Sequence, residues 1–101
     1  MVQRARKIIW SVNAQAVKKS IFFYWNNRNK STTYSEKLEL IFKETLKRIA
    51  IFSDGSLATN DMNVRFVLTR DYYLIFEVTE TAIIVLDIWD TRQNPVNFPI
   101  K

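Results

Sequence analysis

Residues 72–78 read Tyr72-Tyr73-Leu74-Ile75-Phe76-Glu77-Val78, and residues 82–95 read Ala82-Ile83-Ile84-Val85-Leu86-Asp87-Ile88-Trp89-Asp90-Thr91-Arg92-Gln93-Asn94-Pro95. Both begin as apolar runs rich in β-branched and aromatic side chains, which is the composition typical of strands. A third such run precedes them across Arg70-Asp71. The sequence therefore predicts a three-stranded antiparallel meander, with strands at 63–69, 72–78 and 82–89, and an irregular tail after it.

Upstream of the meander, the spacing of apolar residues indicates one strand and two helices. Residues 7–12 predict a short strand. From residue 14 apolar residues recur at helical spacing, so a helix is predicted to follow and to end within 26–30. Thr33 and Glu36 have the spacing of a capping box. They predict the start of a second helix that runs to about residue 52.

The segments between these elements complete the predicted architecture. A short polar link between the helices favours an antiparallel hairpin, and residues 53–61, with the one glycine, predict a loop. We therefore expect a single α+β domain over all 101 residues. Its order is a short N-terminal strand, an antiparallel helix hairpin and a three-stranded antiparallel meander.

Strict alternation along the strands predicts which side chains share a sheet face. One set is entirely apolar and is predicted to pack under the helix hairpin: Val64, Phe66, Leu68, Leu74, Phe76, Val78, Ile84, Leu86 and Ile88. The other set carries every charge, so it is predicted to form an open surface. That surface would hold Arg65, Tyr73, Glu77, Asp87 and Trp89.

Composition excludes several classes of chemistry. The chain has no cysteine, so disulfides and thiol catalysis are excluded, and no histidine, the commonest metal ligand and general base. Neither a membrane span nor a signal-peptide core is predicted, because no apolar run is long enough. We expect a cytoplasmic protein without a metal or cofactor.

The net charge of +5 is unevenly distributed. Residues 1–30 hold seven basic residues, among them Lys18 and Lys19, and no acidic residue. Such a basic segment suits a nucleic acid or an acidic protein partner. An equally simple interpretation is that these charges only keep the helix surfaces hydrated.

Several short motifs occur in an order that is informative as a whole. They are Ile9-Trp10-Ser11 with Ala14, Tyr24-Trp25, Tyr34-Ser35-Glu36-Lys37-Leu38, Val64-Arg65, Asp71-Tyr72-Tyr73-Leu74-Ile75-Phe76 and Asp90-Thr91-Arg92-Gln93-Asn94-Pro95. Over about residues 7–95 the chain resembles the RelE/ParE superfamily of small toxins from bacterial toxin–antitoxin modules. The closing motif most resembles the ParE branch that ends in Asp-Ser/Thr-Arg-Gln-Asn-Pro.

This resemblance implies a toxin that a cognate antitoxin neutralises by wrapping around it, in a toxin–antitoxin hetero-oligomer. It also implies one of two targets. RelE-like members bind the ribosomal A site and cleave mRNA as ribonucleases, whereas ParE-like members inhibit DNA gyrase and lack the nuclease residues.

RNA cleavage would need a base, an acid and cationic groups that converge within hydrogen-bond reach. The resemblance places Arg65 and Arg92 at RelE-like basic positions, while Val67, Tyr73 and Phe98 differ in type from the residues expected there. Glu77 as base and Tyr73 as acid would complete a catalytic set. Alternatively, Glu77 and Asp87 pair with Arg65 across strands, and Asp90 with Arg92 only fixes the tail.

Because only two of the expected nuclease positions match in residue type, we favour ParE-like gyrase inhibition, with RelE-like mRNA cleavage as the alternative. For a binding function the candidate contact residues are Asp87, Trp89, Asp90, Lys18 and Lys19. A third interpretation, an inactive toxin relic or a plain nucleic-acid-binding domain, is allowed by the basic front end.

Overall fold

The computed structural model describes residues 6–51, 57–58 and 63–93. Two helices lie between the first strand and the remaining four, and this order confirms the predicted α+β fold class. The elements are β1 (Lys7–Trp10), α1 (Val12–Asn29), α2 (Thr33–Ile51), β2 (Leu57–Ala58), β3 (Val64–Thr69), β4 (Tyr72–Val78) and β5 (Ala82–Asp90).

The first strand is shorter than predicted because Ser11 ends it and starts the helix. The Ser11 backbone is extended, and its Oγ accepts a hydrogen bond from the Ala14 amide at 3.0 Å. A serine in this position satisfies one of the amides that the first helical turn leaves unpaired. Val12 is therefore the first residue of α1, and its prediction as a strand residue was wrong.

The two helices form the predicted hairpin. Lys30 ends α1 in the left-handed conformation, with φ of 53°, and its amide donates to the Asn26 carbonyl. The start of α2 lies one residue away from its prediction. Thr32 rather than Thr33 accepts the first helical hydrogen bond, from the Glu36 amide at 3.0 Å, so Thr32 occupies the cap position.

The five strands form one sheet in the order β1-β5-β4-β3-β2. The pairs from β2 to β5 are antiparallel, and β1 is parallel to β5. The strand β2 was missed, since a pairing of two residues, Leu57 with Phe66 and Ala58 with Arg65, is too short to leave an alternating pattern. The remainder of the predicted loop lies outside the described residues.

A β-bulge at Leu86 changes the faces of β5. Ile75 pairs with Asp87, but the next residue, Phe76, pairs with Val85, so Leu86 is the extra residue. Before the bulge, Ile83 and Val85 therefore face the helices, and the prediction that Ile84 and Leu86 do so was wrong. After the bulge, the predicted faces of Ile88, Asp87 and Trp89 hold.

The faces of β3 are the reverse of the prediction. Directly paired residues of antiparallel strands lie on the same face, and Val67 pairs with Leu74 while Leu68 pairs with Tyr73. Val67 packs against the core, whereas Leu68 is 53% exposed. β3 carries apolar residues on both faces, so its pattern does not decide between them.

The hydrophobic core lies between the helix hairpin and one sheet face. From α1 and α2, the fully buried members are Ala14, Leu38, Phe42, Leu46, Ile49 and Ala50. From the sheet they are Tyr72, Leu74, Phe76, Ile83, Val85 and Ile88. The other side of the sheet, which carries no helix among the described residues, is called the helix-free face below.

Because of the bulge, we expect substitution by alanine to lower the free energy of unfolding by different amounts at two neighbouring isoleucines. Ile83 is fully buried in the core, so Ile83→Ala should lower the free energy of unfolding by about 2–5 kcal/mol. Ile84 lies on the helix-free face and is only partly buried, so Ile84→Ala should cost about 1 kcal/mol. Urea denaturation of both variants would measure this. A larger cost at Ile84 would mean that β5 has no bulge.

Candidate functional site

The end of β5 forms a turn in which Asp90 holds Arg92. The Arg92 Nε donates to one carboxylate oxygen at 3.0 Å and Nη2 to the other at 2.7 Å. The Arg92 amide adds a third hydrogen bond to the same carboxylate, at 2.9 Å. These hydrogen bonds from Arg92 lower the pKa of Asp90, and in turn the Asp90 carboxylate raises the pKa of Arg92. The pair fixes the guanidinium in one orientation, although the Arg92 side chain is 53% exposed.

An aromatic cluster lies beside this ion pair. The Trp25 indole N–H donates to the Tyr72 hydroxyl at 2.8 Å, and Tyr34 meets the indole edge-on at 4.8 Å between ring centroids. The guanidinium carbons of Arg92 and Arg28 lie 5.6 and 5.9 Å from the Trp25 ring centroid, within cation–π range. Burial raises the pKa of Tyr72, so this phenol stays protonated at neutral pH. Trp25 thus connects α1 to two arginines and to the sheet.

A groove of about 600 Å³ runs between α1 and the end of β5, next to this cluster. Its lining residues are Ala16, Val17, Ser20, Ile21, Tyr24, Tyr72, Ile88, Asp90, Arg92 and Gln93, and we call it the α1–β5 groove. Half of these residues are exposed, so the groove is a trough and not an enclosed cavity. Its walls are mainly apolar, and the Asp90–Arg92 pair lies among its polar residues.

The helix-free face holds Tyr73, Glu77, Asp87 and Trp89, as predicted. The prediction that this face is an open surface was wrong, because all four side chains are partly buried and Ile75 on the same face is only 1% exposed. Tyr73 pairs with Trp89 in the ladder and meets the ring of Phe66 edge-on, at 5.3 Å between centroids. Tyr73 and Glu77 are four residues apart on one strand, which separates them by about 13 Å. The structure therefore does not bring the predicted acid and base within reach of one reacting group.

Arg65 does not lie on the helix-free face, and its predicted position there was wrong. It pairs directly with Phe76, a core residue with no exposed surface, so both lie on the helix-covered face. The Arg65 Nε is buried and has no hydrogen-bond partner within the described residues. Across-strand ion pairs of Arg65 with Glu77 or Asp87 are excluded, because those carboxylates are on the other side of the sheet.

The two lysines of α1 have different surroundings. The Lys18 ammonium lies 4.1 Å from the Trp10 ring centroid and 3.5 Å from a carboxylate oxygen of Glu39 on α2. Lys18 thus helps to hold the hairpin on β1. Lys19 is exposed and remains available to a partner.

The nine candidate residues are thus distributed over separate parts of the molecule. Tyr73, Glu77, Asp87 and Trp89 lie on the helix-free face, Asp90 and Arg92 at the α1–β5 groove, Arg65 under the helices, and Lys18 and Lys19 on α1. Phe98 lies outside the described residues. Sequence reasoning missed Arg28 and Tyr72, which join Arg92 around Trp25. The pairing of Tyr72 with Asp90 across β4 and β5 was the signal that could have placed Tyr72 there.

Comparison with solved structures identifies the fold. Nine chains match, and one belongs to a structure described as the chromosomal ParDE TA system from P. aeruginosa. It superposes with a TM-score of 0.69, covering 87% of this chain and 98% of that one, at 17% sequence identity. The chain has a RelE/ParE-type toxin fold. No family model and no curated protein matches it.

Neither of the two helices in the described part of the chain is long and apolar enough to cross a membrane. No group of three or more acidic, histidine or cysteine side chains in that part of the chain could hold a metal ion.

The Asp90–Arg92 pair predicts a pH-dependent contribution to stability. Because the folded-state pKa of Asp90 is below its ordinary value of 3.8, its contribution is present above that pH. It is lost as the pH falls further. Asp90→Asn should therefore flatten the acid side of the stability curve, with a loss at pH 7 of about 1 kcal/mol or less. Urea denaturation between pH 2 and pH 7 would measure it.

Glu44→Gln, which removes an exposed carboxylate of α2, is the matched control for this experiment. If Asp90→Asn and the unaltered protein lost stability in parallel below pH 4, the Asp90–Arg92 pair would not form in solution.

Proposed function

We propose that this chain is the toxin of a type II toxin–antitoxin module and that it inhibits growth by binding DNA gyrase, without cutting RNA. The fold supports the first part, since a chain of a ParDE toxin–antitoxin structure covers 87% of this one. A cognate antitoxin is then the expected cellular partner. The second part rests on one observation, the separation of the candidate catalytic residues by the sheet.

That separation matters because cleavage needs all of its groups at one phosphate. A general base has to lie within about 3 Å of the 2′-hydroxyl, and cationic groups have to reach the phosphate beside it. Here Glu77 is on the helix-free face, whereas Arg65 is on the opposite face. Arg92 is held by Asp90 at the α1–β5 groove. Candidate catalytic residues that are separated in this way favour a protein-binding function over a nuclease site.

Inhibition by binding requires an exposed surface with anchoring side chains, and the chain has such surfaces on α1 and on the sheet. Phe23 is 70% exposed and Tyr24 48%, both on α1, and Leu68 on β3 is 53% exposed. Large exposed apolar side chains of this kind favour protein partners.

Purified toxin should inhibit gyrase-catalysed supercoiling of a relaxed plasmid and should leave ribosome-bound mRNA intact. Both reactions can be run over the same toxin concentrations, with supercoiling read on agarose gels and cleavage by primer extension. Glu77→Gln keeps the size of the side chain and removes its basicity. We expect this variant to inhibit gyrase as the unaltered protein does.

Two results would contradict the proposal. Ribosome-dependent cuts that fall by about 100-fold or more in Glu77→Gln would identify a nuclease with Glu77 as its base. Inactivity in both reactions, together with harmless expression in growing cells, would indicate a toxin relic.

A further inference from the structure

A second cavity, of about 230 Å³, lies where β1 meets the helix hairpin. We call it the hairpin cavity, and its lining residues are Ile8, Trp10, Lys18, Glu39, Phe42, Lys43 and Leu46. None of them lines the α1–β5 groove. Phe42 and Leu46 are each 1% exposed, and of the whole lining only Glu39 and Lys43 are exposed residues. The hairpin cavity is therefore more enclosed than the groove, as a small-molecule site needs to be.

The size and the walls of the hairpin cavity limit what it can hold. Pockets for drug-sized molecules have volumes of about 300–1,000 Å³, so this smaller cavity suits a molecule of about one ring. Its apolar part contains the side chains of Trp10 and Phe42. Aromatic rings that meet edge-on or offset gain free energy beyond the burial of their surface. A ligand with a single aromatic ring therefore matches the cavity.

The charges that line the hairpin cavity do not cancel. The Lys18 ammonium lies 3.5 Å from a carboxylate oxygen of Glu39, and these two charges pair. Lys43 has no ion pair among the described residues, so one positive charge is left in excess. The Lys18 ammonium has three donor hydrogens, so it can donate to a second carboxylate while it faces Glu39. Its side chain is only 21% exposed, which reduces the screening of its charge.

We propose that the hairpin cavity binds a small aromatic monocarboxylate. The ring of the ligand packs against Trp10 and Phe42, and its carboxylate lies between the ammonium groups of Lys18 and Lys43. A bound ligand contacts β1, α1 and α2 together, so it stabilises the folded chain in proportion to its concentration and affinity. This site is separate from the surfaces considered for the proposed function and does not depend on that function.

The test uses phenylacetate as the probe and phenylacetamide as its uncharged counterpart. Phenylacetate is titrated into the isotope-labelled full chain, and amide and indole resonances are followed by NMR. We expect shifts centred on Trp10 and Leu46, with a Kd of about 1 mM, which is reasonable for about ten non-hydrogen atoms. Phenylacetamide should bind at least about threefold more weakly. With about 10 mM phenylacetate the melting temperature should rise by a few degrees.

Two substitutions of exposed residues should change the affinity in opposite directions. Lys43→Gln removes the unpaired ammonium and should weaken phenylacetate binding about two- to fivefold, the range expected for exposed charges. Glu39→Gln removes the repelling carboxylate and releases Lys18, so it should strengthen binding by a similar factor. Neither substitution should change the affinity for phenylacetamide.

Lys47→Gln and Glu44→Gln are the matched controls. They make the same two chemical changes at exposed positions of α2 that do not line the hairpin cavity. Their affinity for phenylacetate should equal that of the unaltered protein. Thermal melts followed by circular dichroism should show that all four variants remain folded.

Four results would overturn the inference. Absence of shifts at about 20 mM phenylacetate would exclude binding. Equal affinity for phenylacetamide, or equal effects of Lys43→Gln and Lys47→Gln, would exclude recognition of the carboxylate at this cavity. Shifts centred on Arg92 would place the acid in the α1–β5 groove. Shifts at Trp10 that grow with protein concentration and are reversed by phenylacetate would assign the cavity to a second copy of the chain.

Discussion

The hydrogen bond from the Ser11 hydroxyl to the Leu86 carbonyl decides which side chains of β5 lie on each face of the sheet. The Leu86 carbonyl accepts hydrogen bonds from Ser11 Oγ at 3.3 Å and from Asn13 Nδ2 at 2.9 Å, while Ser11 also caps α1. The start of α1 is thereby fixed to the extra residue of β5. Because the bulge reverses the alternation along β5, it turns Val85 and Ile88 towards the same core. Without it, one half of the strand would present its apolar residues to the wrong face.

The same constraint separates the candidate functional residues. Beyond the bulge, Asp87 and Trp89 point to the helix-free face, whereas Asp90 lies at the helix-covered edge, opposite Tyr72. The chain then turns, and Arg92 reaches the Trp25 ring. A groove with a fixed guanidinium forms on one side of the sheet, and an acid and a tyrosine about 13 Å apart are left on the other. This separation is the observation on which the proposed binding function rests.

The sequence predicted the order and type of the elements, because α2 has a clear helical period and the three long strands are rich in β-branched and aromatic side chains. It failed where a single residue changes the period. The Leu86 bulge depends on hydrogen bonds from residues more than 70 positions away, so no local pattern reveals it. β3 was assigned to the wrong faces since Val64, Phe66 and Val67 are all apolar, and Arg65 was assumed to be exposed because it is charged. The α1–β5 groove could not be predicted, as it joins a helix to a turn some 70 residues later.

The central claim, that this toxin-like chain stops growth without cutting RNA, is tested most directly inside growing cells. The chain would be expressed alone while mRNA 5′ ends are mapped across the transcriptome and a DNA-damage reporter is followed in the same culture. We expect a strong reporter response with mRNA ends unchanged. New in-frame cuts within translated messages, with a silent reporter, would contradict this expectation and would mean that the chain cuts RNA with a set of residues other than the one separated by the sheet.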